Sequence, residues 1–487
     1  MKKSRWFLPV TSLLLPLSGV GCGEGAADPL TNLSAPGAVS QAVTSSLGLD
    51  KASAKPVITA ISPTTASNHG GGPVIISGRN FVSGAIVKIG GALATSSVLS
   101  STTLTATVPT LPGTCGRVPV RVEDPSGQAA TRTDLFTLQG AFGYLDPISY
   151  PTVPYASQVA VADFNLDGHL DLVVGTLDSN QVSFLAGRGD GTFRPAQNLA
   201  AGGLPDSVIA DDFNQDGNLD LAVSDSSTSG TGHILLGKGR SFGGSQFGAP
   251  SDFTALEYID GIRSADMNSD GKVDLVTFGD NSISVLLGKG DGTFQPHLDT
   301  ARTSRPWGIA IGDLNGDGHP DVAAANRADN TMSILLGKGD GTFLTAVNYA
   351  TDAAPILVDI KDVNHDGKLD VVTANQSTVS VFLGKGDGTF GTAQNYTATL
   401  HSVNDLAVRD LDDDGIPDIA IIDEIGSAVD VLIGKGDGSF GAPQPSTTGP
   451  IPNWLGIGDF DGDHRPDLVT TSVDSPGSVA VLLRECM

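Results

Sequence analysis

The stretch Asp163-Phe164-Asn165-Leu166-Asp167-Gly168-His169-Leu170-Asp171 decides the reading of this chain, because its pattern returns six more times. The later copies begin at Asp212, Asp266, Asp313, Asp362, Asp410 and Asp459, at spacings of 49, 54, 47, 49, 48 and 49 residues. Every copy follows an alternating strand pattern and precedes an apolar one, as with Ser157–Val161 and Leu172–Val174 around the first. A further strand then ends in a glycine hairpin, as in Leu286-Leu287-Gly288-Lys289-Gly290-Asp291-Gly292-Thr293-Phe294. A repeat of this length holding four strands is the signature of a propeller blade. Seven copies predict an all-β, seven-bladed propeller around a central channel.

The two ends of the repeat array predict how the ring closes. The seventh copy stops at Val479–Leu483 without an outer strand, whereas Phe142–Tyr150, ahead of the first copy, resembles the outer strand Phe343–Tyr349. Pairing of the N-terminal segment beside 479–483 would complete blade seven and remove the edge that an open ring exposes.

The recurring loop carries oxygen at alternate positions. Position one is Asp163, Asp212, Asp266, Asp313, Asp362, Asp410 and Asp459; position three is Asn165, Asn214, Asn268, Asn315, Asn364, Asp412 and Asp461. Position five is Asp167, Asp216, Asp270, Asp317, Asp366, Asp414 and Asp463; position nine is Asp171, Asp220, Asp274, Asp321, Asp370, Asp418 and Asp467. Hard cations such as calcium take six to eight oxygens, and a tight loop brings alternate residues to one point. The position-seven residues His169, Asn218, Lys272, His319, Lys368, Ile416 and Arg465 would add a backbone carbonyl each. A helical calcium loop also needs glutamate at position twelve. Here that place holds Val174, Val223, Thr277, Ala324, Thr373, Ile421 and Thr470, which excludes it. Magnesium keeps its waters and demands a stricter octahedron, so calcium is the expected ion, at up to seven sites. Glycine fills position six in six loops; His464 replaces it in the seventh, where a positive φ is costly, so site seven is expected to be the weakest.

Charge agrees with cation sites. The chain has 54 acidic and 28 basic residues, a net charge of −26. Such a surface repels phosphate backbones, so nucleic acid is excluded as a partner. With 17% charged and 39% hydrophobic residues, the chain can bury a core, and its 62 glycines exclude a helical bundle.

Met1-Lys2-Lys3-Ser4-Arg5, an apolar run from Trp6 to Leu17 and small residues up to Cys22 form the pattern of a secretory signal at 1–22. Gly19-Val20-Gly21-Cys22 resembles a bacterial lipoprotein processing site, which implies a lipid on Cys22; ordinary secretion is the alternative. The expected location is the outer membrane or cell surface, with the lipid as the sole membrane contact. Residues 23–55 read as a flexible linker rich in small and polar residues. Outside the cytoplasm Cys115 and Cys486 either pair, bridging the small domain to the chain's end, or remain free thiols.

From 56 to 139 the texture is short β-branched runs between Gly/Pro/Ser turns, which indicates a β-sandwich. Ile61-Ser62-Pro63 and Gly78-Arg79-Asn80-Phe81 are similar to the I-x-P and G-x-N-F elements of IPT/TIG domains, which implies an immunoglobulin-like module. The seven loops, with Phe247-Gly248-Ala249-Pro250 and Phe440-Gly441-Ala442-Pro443, resemble FG-GAP/VCBS repeats over residues 140–487. That resemblance implies a calcium-binding propeller like those of integrin α-chains, used for adhesion, sugar binding or protein contacts.

Other motifs have plainer readings. Arg188-Gly189-Asp190 spells an integrin ligand, yet the aligned blades read Lys-Gly-Asp at 289–291, 338–340, 385–387 and 435–437, so it is a hairpin with one basic swap. Gly239-Arg240-Ser241-Phe242-Gly243 matches a hydrolase elbow but falls in a hairpin with no strand-to-helix turn. His169, His319, His365 and His464 lie inside the loops rather than forming a zinc set. The expected function is a monomeric, non-catalytic surface-binding module for an unknown protein or glycan. The alternatives are a lectin, for which Trp307 and Trp454 ahead of loops four and seven are candidate aromatics, and a polysaccharide-active enzyme.

Overall fold

The structure, a computed structural model, describes residues 54–487 apart from 69, 112–115, 140–142, 227–229, 241–244, 256–257, 280–281, 303–304, 398–402 and 485–487. The signal and linker, Cys22, Cys115 and Cys486 therefore lie outside the described residues, as do Ser241, Phe242 and Gly243 of the elbow-like motif. Among the described residues there is no helix, so none long and apolar enough to cross a membrane.

Residues 57–139 form the predicted sandwich. One sheet takes the strands in the order Val57–Ser62, Pro73–Arg79, Thr103–Thr107, Ala92–Ser100, Ile86–Ile89, Val120–Glu123, Ala129–Arg132. A smaller one orders Thr65–Ser67, Thr137–Gln139, Gly116–Arg117. Alternate residues such as Val74, Ile76, Val87, Ile89, Leu104 and Phe136 point into one shared core. Asn80 of the G-x-N-F element takes a positive φ of 63°, a conformation asparagine tolerates better than most residues.

Seven four-stranded antiparallel sheets follow. Blade one runs Ala156–Ala162, Asp171–Thr176, Gln181–Leu185, Gln197–Ala200 from the axis outward, and blades two to six repeat this order. The second and third strands are buried on both faces, which is why they read as continuous apolar runs. Blade seven takes Pro452–Gly458, Asp467–Ser472 and Ser478–Leu482 from the C-terminus and Ile148–Pro151 from the N-terminal side. Tyr150 pairs with Val479 and Ile148 with Val481, so the chain closes its ring with the segment the repeat arithmetic selected. The inner strand Ala156–Ala162 packs on Pro452–Gly458 of blade seven, completing the circle.

Each inner strand is a sheet edge, and its axis-side N–H groups need acceptors. Neighbouring blades supply them from side chains. Gln158 of blade one accepts from Val208 N (3.1 Å) and Ser207 Oγ (2.7 Å) of blade two, and Ser207 Oγ accepts from Ile262 N of blade three (3.2 Å). Asp359 of blade five accepts from Val408 N (2.9 Å), and Asp405 of blade six from Leu455 N (2.6 Å). Burial pushes the Asp405 carboxyl up to about 7. These contacts stitch the blades around the channel.

Candidate metal centres

Each loop joins the inner strand of a blade to its second strand, so all seven lie at the same end of the propeller. The residue at position two is always apolar and buried: Phe164, Phe213, Met267, Leu314, Val363, Leu411 and Phe460. It anchors the loop against the hairpin phenylalanine of the next blade. Phe164 meets Phe247 edge-on at 5.6 Å, Phe213 meets Phe294 at 6.0 Å, and Phe460 meets Phe193 at 5.5 Å across the ring closure. The hairpin also donates to the loop backbone: Gly191 N to Phe460 O (2.8 Å), Gly292 N to Phe213 O (3.0 Å) and Gly388 N to Leu314 O (3.2 Å). The loops are therefore clasps between blades as well as turns within them.

Within a loop, the position-one carboxylate accepts from the backbone of positions five and six. Asp167 N and Gly168 N donate to Asp163 at 3.0 and 2.9 Å, and Asp463 N and His464 N repeat this on Asp459 at 3.1 and 2.9 Å. The position-five carboxylate then caps position seven, as Asp167 does for His169 N at 3.0 Å. Position six takes a positive φ in all seven loops, from 82° at Gly271 to 91° at Gly168, and His464 follows at 67°. Position four, which carries no such signal in the sequence, does the same. Leu166, Gln215, Ser269, His365 and Asp413 hold φ between 57° and 62°, and only Gly316 and Gly462 do so without strain. Two left-handed residues two positions apart wind the loop tightly, and strain of this kind persists where the surroundings hold it in place.

Position nine begins the second strand and is fully buried in every loop. One oxygen of Asp418 accepts from Leu411 N (2.7 Å), the other from Gly434 N (2.8 Å). Asp171 does the same with Phe164 N (3.1 Å) and Gly187 N (2.9 Å), and Asp467 with Phe460 N and Arg484 N, both 2.8 Å. In Asp418 and Asp467 each oxygen keeps a second lone pair for another partner, whereas on Asp171 Asn165 N (3.2 Å) and Asn165 Nδ2 (3.1 Å) occupy those places. Burial, opposed by these N–H groups and reinforced by the neighbouring carboxylates, pushes Asp171, Asp418 and Asp467 up to about 7. Asp220, Asp274 and Asp321 rise to about 6 for the same reasons. Burial first and Asp414 second raise Asp412 to about 6.

The donor set fits a hard cation. In loops six and seven, Asp410, Asp412 and Asp414, and Asp459, Asp461 and Asp463, each place oxygens within 4.8 Å of one another. In loops one and six, Asn165 Oδ1 and Asp410 Oδ1 are buried acceptors with no hydrogen-bond donor. Crowded, acceptor-only oxygens of this kind are costly unless a positive charge lies among them.

The hairpin reading of Arg188-Gly189-Asp190 holds. Asp190 of Arg188-Gly189-Asp190 accepts from Thr192 N at 3.0 Å, as Asp291, Asp340 and Asp387 do from Thr293, Thr342 and Thr389. Gly189 takes a positive φ of 70°, which favours glycine there. The two tryptophans separate: Trp454 packs into the core of blades five and six, whereas Trp307 is 39% exposed. Trp307 stands six residues ahead of its loop and Trp454 five, so they are not equivalent positions.

Comparison with known proteins now adds the family. The model of the FG-GAP-like repeat matches residues 163–223, 266–324, 313–361, 362–421 and 410–470, more than half of the chain. This chain is an FG-GAP repeat protein. The IPT/TIG domain model matches residues 56–138. No curated protein matches it. Among solved structures, it is similar to an Agrocybe aegerita lectin described as recognising non-reducing terminal N-acetylglucosamine (21% identity, 69% of this chain, 90% of that one, TM-score 0.44). It is also similar to an auxiliary nutrient binding protein of Bacteroides ovatus (14%, 88% and 98%, TM-score 0.44) and to a biofilm matrix protein of V. cholerae (10%, 89% and 91%, TM-score 0.44).

Proposed function

We propose that this FG-GAP repeat protein is an exported, calcium-stabilised binding module that acts at the cell surface without catalysis. The observation that carries the calcium reading is the buried, donorless Asp410 Oδ1 inside the Asp410–Asp412–Asp414 cluster. In each loop the carboxylates and amides of positions one, three, five and nine, with the position-seven carbonyl, would hold the ion. Bound there, calcium would neutralise the loop and fix the clasp that each loop makes with the next blade. The ion is structural in this reading, because it rigidifies the ring and with it the opposite face. Seven divalent ions would bring the formal charge from −26 to about −12.

Export follows from the signal pattern at 1–22, with Cys22 as a lipid anchor or the chain released. The sandwich serves as a spacer and the propeller as the monomeric binding unit for a surface protein or glycan. Thermal melting with calcium and with chelator tests this: an ion bound only by the folded state raises the midpoint by mass action. Identical midpoints would contradict it.

A further inference from the structure

All seven inner strands run toward the calcium loops, so their starting ends share the opposite face, at the mouth of the channel. In loops one to five and seven, the residue eight positions ahead of the first aspartate lies at that mouth. In four blades it is a left-handed, non-glycine residue: Tyr155 (φ 55°), Arg305 (φ 53°), Ala354 (φ 50°) and Ile451 (φ 45°). For a β-branched isoleucine this is a genuine outlier, and such strain gathers at ligand sites. The same places are unusually exposed for apolar residues: Tyr155 41%, Tyr258 55% and Ile451 41%.

Blade four adds charge to this ring. The Arg327 guanidinium lies 3.9 Å from the centroid of the Trp307 ring, and that of Arg305 lies 5.9 Å from it. Arg327 comes from the loop that ends the second strand, which also opens on this face. Neither arginine makes an ion pair among the described residues, although the chain has nearly twice as many acids as bases. Elsewhere arginines do find acids, as with Arg409 and Asp359 at 3.3 Å or Arg484 and Asp413 at 2.9 Å. An arginine stacked on an indole keeps its in-plane N–H fork free and already oriented for a carboxylate.

We propose that Trp307, Arg305 and Arg327 form a carboxylate subsite on the face opposite the calcium loops, and that its ligand is a uronate of an acidic polysaccharide. This rests on the binding-module reading and names its ligand class. The in-plane N–H fork of a stacked guanidinium matches one planar carboxylate, and a polyuronate carries one on every sugar. Such a chain would set its carboxylate on the arginines that Trp307 holds and its sugar faces on the exposed Tyr155 and Tyr258 of the same mouth.

Titration calorimetry of the calcium-loaded mature protein with trigalacturonate, its methyl ester and a triglutamate peptide tests the proposal. Binding of trigalacturonate alone, weakened about tenfold or more by Arg327→Gln and by Trp307→Ala, is the expected result. Arg305→Gln serves as a further variant, and melting midpoints equal to the parent's show that each variant is folded. Equal binding of the methyl ester would remove the carboxylate from the account, and equal binding of triglutamate would replace the sugar by an acidic peptide; either overturns the proposal. A protein that melts higher in calcium yet binds none of the three also overturns it, while the calcium reading stands.

Discussion

Replacing Asp418 by Asn should be costly with calcium and cheap without it. In the metal-free protein the Asp418 carboxyl, pushed up to about 7 by burial, is close to half protonated at neutral pH. An amide is then a near match in shape, and the main loss is one buried N–H, Leu411 or Gly434, left facing the new NH₂. That costs about 1–2 kcal/mol. With calcium the variant loses an ionised ligand from a loop whose other oxygens already converge. A site occupied at about a thousand times its Kd contributes about 4 kcal/mol to the folded state. Over a propeller of roughly 350 residues, with an unfolding entropy of about 2 cal/mol/K per residue, 4 kcal/mol corresponds to about 6 °C. Asp418→Asn should thus lower the midpoint by about 6 °C or more in millimolar calcium and by about 2 °C in chelator, read by circular dichroism or calorimetry. An equal drop in both would refute the assignment of position nine as a ligand.

Three further outcomes follow from the same geometry. Burial raises Asp171, Asp220, Asp274, Asp321, Asp418, Asp467 and Asp405 to about 6 to 7, above their unfolded range, so in the metal-free protein the stability these groups contribute is full below about pH 4 and is lost as pH rises through 6 to 7. In calcium the ionised forms are ligands, and the pH dependence should reverse; melting curves across pH with each additive would show whether the two trends cross. His464→Gly should remove a left-handed histidine at φ 67° and stabilise loop seven by roughly 0.5–1 kcal/mol, with tighter calcium binding there; an unchanged or lower midpoint would contradict the strain argument. Tyr150→Ala, which removes the edge-on contact with Phe193 at 5.6 Å from the closing strand, should destabilise by about 2 kcal/mol and increase aggregation on light scattering, whereas a neutral effect would show that the closing strand contributes little.

The repeat period made most of this fold legible, because each blade is one supersecondary unit and the loop Asp163–Asp171 marks its boundary between inner and second strand. The closing strand was legible from a count of strands at the two ends. Position four was not, because Leu166, Gln215 and His365 carry no residue-type signal for a left-handed backbone; geometry imposed by the neighbours overrides local preference there. The role of position two was visible as a recurring apolar residue, yet its contact with the next blade's hairpin phenylalanine is long-range and has no local signature. The strand Ala92–Ser100 has little local signature, because its Ala-Leu-Ala-Thr-Ser-Ser run is largely solvent-facing and lacks a β-branched core pattern. The mouth of the channel was hidden for a similar reason: Arg305 and Trp307, at the start of the inner strand of blade four, meet Arg327 only where the second strand ends beside them.

Calcium stoichiometry is the most direct test of the central claim. Protein equilibrated in calcium, freed of unbound ion and analysed for metal should carry up to seven calcium ions per chain, fewer by one when Asp418 is replaced by Asn. Protein that retains no calcium even after exposure to an excess would contradict the account.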